Sequence, residues 1–341
     1  MKRRNSGQVI IITLWVMIIL ALLAISVANR VAIALRLARY QRDCLKADAL
    51  ALAGINSMIF EFSGKKNIYG LSRESWVDNK EKFYKVVLDP NKLNETFTVS
   101  YEALDENGQS QIYYGALDEE RKVNINNVDV GLLAALFEEL DISAQDSQSL
   151  ADNICAWRGE NASTEEDSQS YYADKGYSRK GMPFTNIQEL LLVKDMSAGT
   201  YAKIKDFITV FGTEGKININ TANAKVLRAL IRCYINKLIS EASPVVTGVS
   251  DGESLLAGII AYRNKGGCFS DIDNLATDLN FSANSKEGQI LNLMRNMLTT
   301  QSWYFRIRAS GELKNYSLIR HTECVFDNSG DPGKIVFWHQ D

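Results

Sequence analysis

Gly7-Gln-Val-Ile-Ile-Ile-Thr-Leu-Trp-Val-Met-Ile-Ile-Leu-Ala-Leu-Leu-Ala-Ile-Ser-Val-Ala-Asn-Arg-Val31 is the stretch whose reading decides the fold. Lys2, Arg3 and Arg4 precede it, and only Thr13 and Ser26 interrupt it before Asn29 and Arg30. About 20 such residues, at ~1.5 Å rise each, match a bilayer core of roughly 30 Å. The basic residues ahead of it would stay in the cytoplasm, which puts the rest of the chain across the membrane. The helical pattern continues, because Leu45, Ala49, Leu52, Ile55, Ile59 and Phe62 recur at spacings of three and four. Arg42, Asp43, Lys46 and Asp48 lie between them, and no Pro or Gly occurs from Gln8 to Ala53. The expectation is one helix over 8–62, on the order of 80 Å long. Residues 8–31 would lie in lipid and the second half would pack on a globular head.

Three precursors fit such a start. A secretory signal peptide would be cut after Ser26-Val27-Ala28, but its apolar region normally covers only about 7–15 residues. An uncleaved anchor is the second. The third follows from a resemblance: a short basic leader ending in Gly7, running directly into a long helix, resembles a type IV pilin-like precursor. That resemblance implies a leader over 1–7, cut by a prepilin peptidase between Gly7 and Gln8, with Gln8 methylated as the new N-terminus. Pilins and pseudopilins usually carry Glu at the fifth mature position, where this chain has Ile12. A carboxylate in hydrocarbon is costly unless paired, and in the family its partner is the terminal amine of an adjoining subunit. The minor pseudopilin K family of type II secretion lacks that Glu, and Trp15 also resembles it. The resemblance implies a place at the fibre tip, with Ile12 as its determinant.

After subtracting the helix from 341 residues, enough chain remains for two ordinary domains. With 38 basic and 41 acidic residues, no net field points to nucleic acid or to a strongly anionic partner. Cys44, Cys155, Cys233, Cys268 and Cys324 form neither a disulfide framework nor a metal spacing; Cys233 with Cys268 is the one pair to test for a bond. His321 and His339 have no companion ligands nearby, and no general acid–base pair or nucleophile constellation appears, so the chain reads as non-enzymatic.

Beyond the helix, Lys82–Leu88, Glu95–Tyr101 and Gln111–Ala116 read as strands, with a turn at Asp105–Gln109. From Lys122 helices take over and a repeat emerges. Lys122-Val-Asn-Ile-Asn126 recurs as Lys216-Ile-Asn-Ile-Asn220, and Leu133 and Leu136 correspond to Leu227 and Leu230. Ser149–Arg158, ending Ala-Trp-Arg, matches Ser254–Arg263, ending Ala-Tyr-Arg; Phe184–Leu190 matches Phe269–Leu275. Three blocks in one order indicate a duplication, with Trp157 and Tyr262 as core anchors. Tyr304–Ser310, Ser317–Asp327 and Lys334–His339 read as returning strands, with a turn region at Gly311.

The repeat resembles the helix-hairpin-helix domain of competence-type DNA receptors, so a membrane-anchored DNA-uptake receptor is the alternative function. Phosphate binding by that motif needs a glycine hairpin with basic neighbours. Here the first connection, Phe137–Gln148, is acidic and the second, Ile231–Glu253, is long, so no nucleic acid is expected. The segment Gly159–Tyr172 reads as an oxygen-rich loop. The pseudopilin K resemblance makes it a tentative calcium site, with Glu160, Asn161, Glu165, Glu166 and Asp167 as candidate ligands; a solvated acidic loop is the other reading.

The fold expectation is α+β: a long N-terminal transmembrane helix, a pilin-like antiparallel sheet from 63–118 and 301–341, and a large inserted helical domain over 119–300. That insert would hold two helix-hairpin-helix or SAM-like repeats, about 119–210 and 211–300. The resemblance implies a minor pseudopilin that caps the pseudopilus tip and helps initiate its assembly for export across the outer membrane. It also implies minor pseudopilins I and J, the major pseudopilin G, prepilin peptidase and membrane lipid as partners. The chain would be single-pass in the bacterial inner membrane, with its bulk in the periplasm.

Overall fold

The structure is a computed structural model and describes residues 6–65, 68–70, 74–104, 108–160, 165–240 and 252–341. Helix α1 is unbroken over Ser6–Phe62. Residues 7–42 are all exposed; from Asp43 onward one face is covered, through Ala47, Leu50, Ala51, Gly54, Ile55, Met58 and Phe62. The expected face is half right. Ile55 and Phe62 do pack inward, but Leu45 (69% exposed), Ala49 and Leu52 (43% exposed) turn away from the head. The covered face is the one with Ala47, Ala51 and Gly54, whose small side chains let the two backbones approach. A Cβ on Gly54 would already sit 3.0–3.2 Å from Phe97, Ala309 and Val99.

The expected strand over 82–88 is a single helical turn, α2 (Lys80–Phe83), followed by the two-residue strand β1 (Val86–Val87). Asn79 caps that turn by accepting from the Lys82 amide, which commits the backbone to helix. Strand β2 covers Glu95–Val99, and β3 (Tyr101–Leu104) with β4 (Ser110–Tyr113) forms a separate hairpin. The chain then bends at Gly115 (φ +155°) into β5 (Leu117–Asp118), ending the expected 111–116 strand early.

In the helical region β6 (Val123–Asn124) leads to α3 (Val130–Glu139), α4 (Ala144–Trp157), α5 (Glu165–Asp174) and α6 (Ala198–Ile204), closing at β7 (Ile208–Thr209). A second run follows: β8 (Ile217–Asn218), α7 (Ala224–Ser240), α8 (Glu253–Asn264), α9 (Leu275–Asp278), α10 (Lys286–Met294) and β9 (Leu298–Thr299). Each run starts and ends on one parallel ladder, β6 with β7 and β8 with β9. Both runs share a core that includes Leu133, Leu136, Trp157, Phe184, Leu227, Leu230 and Phe269. The connection expected over 137–148 is only Leu140–Ser143, and α7 extends to Ser240, into the second expected connection. Residues 241–251 of that connection lie outside the described residues.

The last strands, β10 (Tyr304–Leu313), β11 (Leu318–Asp327) and β12 (Lys334–Gln340), complete the antiparallel sheet in the order β1-β2-β10-β11-β12. One end of β10 pairs with β2 through Ala309–Leu313 and the other with β5 through Phe305 and Arg306. Gly311 is therefore not a turn but a strand residue, paired to both Phe97 and Arg320. Under the sheet Phe62 stacks on Phe305 at 4.3 Å, with Trp76 edge-on to both.

Candidate assembly interface

The first surface is the rod. Gly7 and Gln8 sit inside α1, exposed, and nothing lies within 4 Å of where a Gly7 side chain would begin. Met1–Asn5 of the expected leader lie outside the described residues. Ile12 and Trp15 are exposed apolar positions, and the nearby Thr13 hydroxyl is satisfied by the Ile10 carbonyl at 2.9 Å. This part of the rod is long and apolar enough to cross a membrane.

Where α1 meets the head, the close packing of Ala47, Ala51 and Gly54 on the sheet sets its rotation, and polar pairs flank that face. Arg320 on β11 donates to Asp48 at 3.0 Å, Lys46 reaches Glu95 at 3.3 Å, and Ser75 donates to Glu61 at 2.8 Å. With that rotation set, Leu45, Ala49, Leu52 and Phe60 (76% exposed) form an apolar stripe on the side away from the sheet. Positions 45, 49 and 52 are helical neighbours at spacings of four and three, and Phe60 follows on the same face beyond the exposed Asn56. An exposed apolar band along a helix is the form of a helix-docking surface.

The second feature is the joint between sheet and helical region, built on Asp118, Glu119 and Glu120, all buried. Asp118 closes β5, and Glu119 and Glu120 start a 3-10 turn that it caps. Asp118 accepts from Ser302 at 2.6 Å, from Asn218 at 3.2 Å and from Thr221. Glu119, 0% exposed, accepts from Arg306 and Thr209 and pairs with Lys122 at 3.4 Å. Glu120 accepts from the Thr213 amide at 2.9 Å and the Trp303 amide at 2.5 Å.

Their proton affinities diverge. Burial pushes Glu119 up, but the Lys122 and Arg306 charges overcome it and hold its carboxyl down at about 2. Glu120 lacks a cation, so burial and then the neighbouring Asp118 charge push it up to about 7. Burial also raises Asp118. Arg306 binds Glu323 as well, and its guanidinium lies 5.8 Å from the Phe211 ring and 5.7 Å from Phe337. Sequence reasoning missed this joint, because Asp118-Glu-Glu-Arg-Lys122 looks like a solvated charge run. Its one visible signal is position, immediately before the first repeat block.

The helical region is held by two sets of matched bonds. The Asn126 amide donates to Phe184 O at 2.9 Å and accepts from Phe184 N at 2.7 Å. Asn220 does the same with Phe269, at 2.9 and 3.0 Å. Asn124 and Asn218 each accept from the amide two residues on, both at 2.9 Å. Arg158 donates to the carbonyls of Ile125 and Val128, and Arg263 to that of Ala222 at 2.7 Å. Trp157 is buried near Phe184, and Tyr262 stacks on Phe269 at 4.6 Å.

Of the tentative calcium ligands, only the side chain of Glu160 is among the described residues. Glu160 is taken up by the buried Arg158. Asn161 lies outside the described residues, as do the side chains of Glu165, Glu166 and Asp167. The backbone corrects one expectation: these last three open α5 rather than lying in a loop. Cys233 and Cys268 are free thiols, as are the other three cysteines. Burial pushes Cys233 up to about 11 and Cys324 to about 12, so both behave as small apolar residues.

Residues 92–213 match the family model described as "Type II secretion system (T2SS), protein K". One solved chain is similar over 89% of this chain and 97% of its own, at 15% identity and a TM-score of 0.60. It comes from the crystal structure of the GspK-GspI-GspJ complex of the enterotoxigenic Escherichia coli type 2 secretion system. At that identity the likeness speaks for the fold. A comparison with curated protein sequences gives no match.

Proposed function

We propose that this chain is a type II secretion system protein K, the family whose model its residues 92–213 match, and that it caps the tip of the pseudopilus and helps start its assembly. The observation that carries this reading is the outward stripe of Leu45, Ala49, Leu52 and Phe60, opposite the face packed on the sheet. A subunit that worked alone would leave that stripe in water. In the proposed assembly it packs on the helices of minor pseudopilins I and J, and the major pseudopilin G adds below. The similar solved chain belongs to a GspK-GspI-GspJ complex, which supports those partners.

The remaining assignments belong to the same proposal. Prepilin peptidase cuts between Gly7 and Gln8, Gln8 is methylated, and residues 8–31 hold the chain in the inner membrane with its head in the periplasm. Ile12 offers no carboxylate to a subunit above it, which suits the topmost position. Residues 119–300 are a duplication inserted in a pilin-like sheet; the matched roles of Asn126 and Asn220 support this. The DNA-uptake reading loses ground at α7, where Arg232 pairs with Glu138 and Arg228 with Glu139 and Glu253. Calcium at the 159–172 segment would raise the melting temperature of the full chain, and no shift would remove it from the account.

The test is photo-crosslinking in cells from a benzoylphenylalanine placed at Leu45 or Leu52. Adducts with pseudopilin I or J are expected from both. Absence of such adducts in a secreting cell would overturn the reading.

A further inference from the structure

Between the span and the first residue covered by the head, Asp43, α1 continues through 30–42 as a bare helix. At ~1.5 Å per residue that is about 20 Å of rod. It carries Arg30, Arg36, Arg39 and Arg42, and the chain has no Asp or Glu before Asp43. Among the described residues Arg42 pairs with Asp43, while Arg30, Arg36 and Arg39 make no hydrogen bond or ion pair. Between the arginines stand Val31, Ile33, Leu35 and Leu37, each more than half exposed.

A helix that is apolar and cationic by turns, with no acid, fits one environment well. In the interfacial layer of a bilayer its aliphatic groups meet acyl chains while its guanidinium groups reach phosphate. In open water the aliphatic groups would be wasted, and a like-charged neighbouring helix would meet repulsion. Orientation does not explain the arginines either. Lys2, Arg3 and Arg4 precede the span, and Arg36, Arg39 and Arg42 follow it, so under the positive-inside rule these three oppose the proposed topology. Guanidinium also binds phosphate with a two-pronged geometry that lysine lacks.

We propose that this segment forms a collar at the headgroup layer of the far leaflet, where Arg36 and Arg39 reach back along the helix to bind the phosphates of anionic phospholipid. This rests on the reading of 8–31 as a membrane span. The collar holds the head close to the membrane until the subunit is withdrawn, and its salt-sensitive contacts are among those broken on withdrawal.

The full chain is inserted into nanodiscs of equal phosphatidylcholine and phosphatidylglycerol and released in mild detergent, and its retained phospholipid is counted by mass spectrometry. Phosphatidylglycerol should be enriched about fivefold, the factor expected of one well-placed arginine. The variant Arg36→Gln/Arg39→Gln should retain the two lipids equally while inserting normally. Equal retention by the wild-type chain, or undiminished enrichment in the variant, would overturn the collar alone. Failure of the wild-type chain to enter the nanodisc would overturn the span and the collar together.

Discussion

Gly311, in the middle of β10, lies directly against the main chain of Ala47 in α1. A Cβ at 311 would overlap the Ala47 carbonyl oxygen and come within 2.8 Å of the Ala51 amide nitrogen. The strand and the rod thus touch backbone to backbone, a contact only glycine permits here. Gly311→Ala should force them apart and cost about 1–3 kcal/mol, as overpacking does. Denaturant unfolding of the full chain in detergent checks this, and an unchanged midpoint would contradict it.

Arg306 and Glu119 tie the sheet to the helical region, with Glu119 buried on every side. Arg306→Met should cost about 3–5 kcal/mol, because Glu119 would keep only Lys122 as a charged partner. The double variant Arg306→Met/Glu119→Gln should recover part of that loss. With Glu119→Gln alone completing the cycle, a double-variant loss equal to the sum of the two single losses would show that the pair is not coupled.

Glu120 gives the joint a pH dependence whose sign is fixed. Its folded-state value of about 7 lies above the ordinary 4.5, so the native state keeps the proton longer. The resulting stability is fully present below about 4.5 and is lost as pH rises through about 7. Between pH 5 and 8 the chain should weaken by up to about 3 kcal/mol. Glu120→Gln should flatten that slope. Glu119 acts oppositely, losing its contribution as pH falls through about 2, outside this window. A slope unchanged by Glu120→Gln would refute the assignment.

Asn126 and Asn220 make the same bonds in the two helical runs, so Asn126→Ala and Asn220→Ala should destabilise by similar amounts. Each removes three hydrogen bonds and leaves buried backbone groups unpaired, a loss of about 2–3 kcal/mol. A neutral result at either position would break the parallel.

The rod, the returning strands and the order of the helical blocks were legible because each is a period in the sequence. The unbroken apolar run dictates a helix, and Phe305, Ile307 and Ala309 alternate as a half-buried strand should. Period alone could not choose between two faces of α1 that both carry apolar residues. The choice fell to Ala47, Ala51 and Gly54, whose small size matters only once the sheet arrives, and it turned Leu45 and Leu52 outward. Gly311 was misread for a related reason: glycine marks both turns and close approaches, and only a neighbouring backbone tells them apart. The carboxylates at 118–120 were hidden because their partners, Thr209, Asn218 and Arg306, are distant in the chain.

The central claim is that the rod stays joined to the head after a cut at Gly7. Intact mass and N-terminal sequencing of the mature protein from its native membrane test it most directly. The account predicts a chain that begins at a methylated Gln8 and carries the apolar rod in one piece with the head. A mature chain beginning near Asn29 would contradict it, because the apolar rod would then have been discarded.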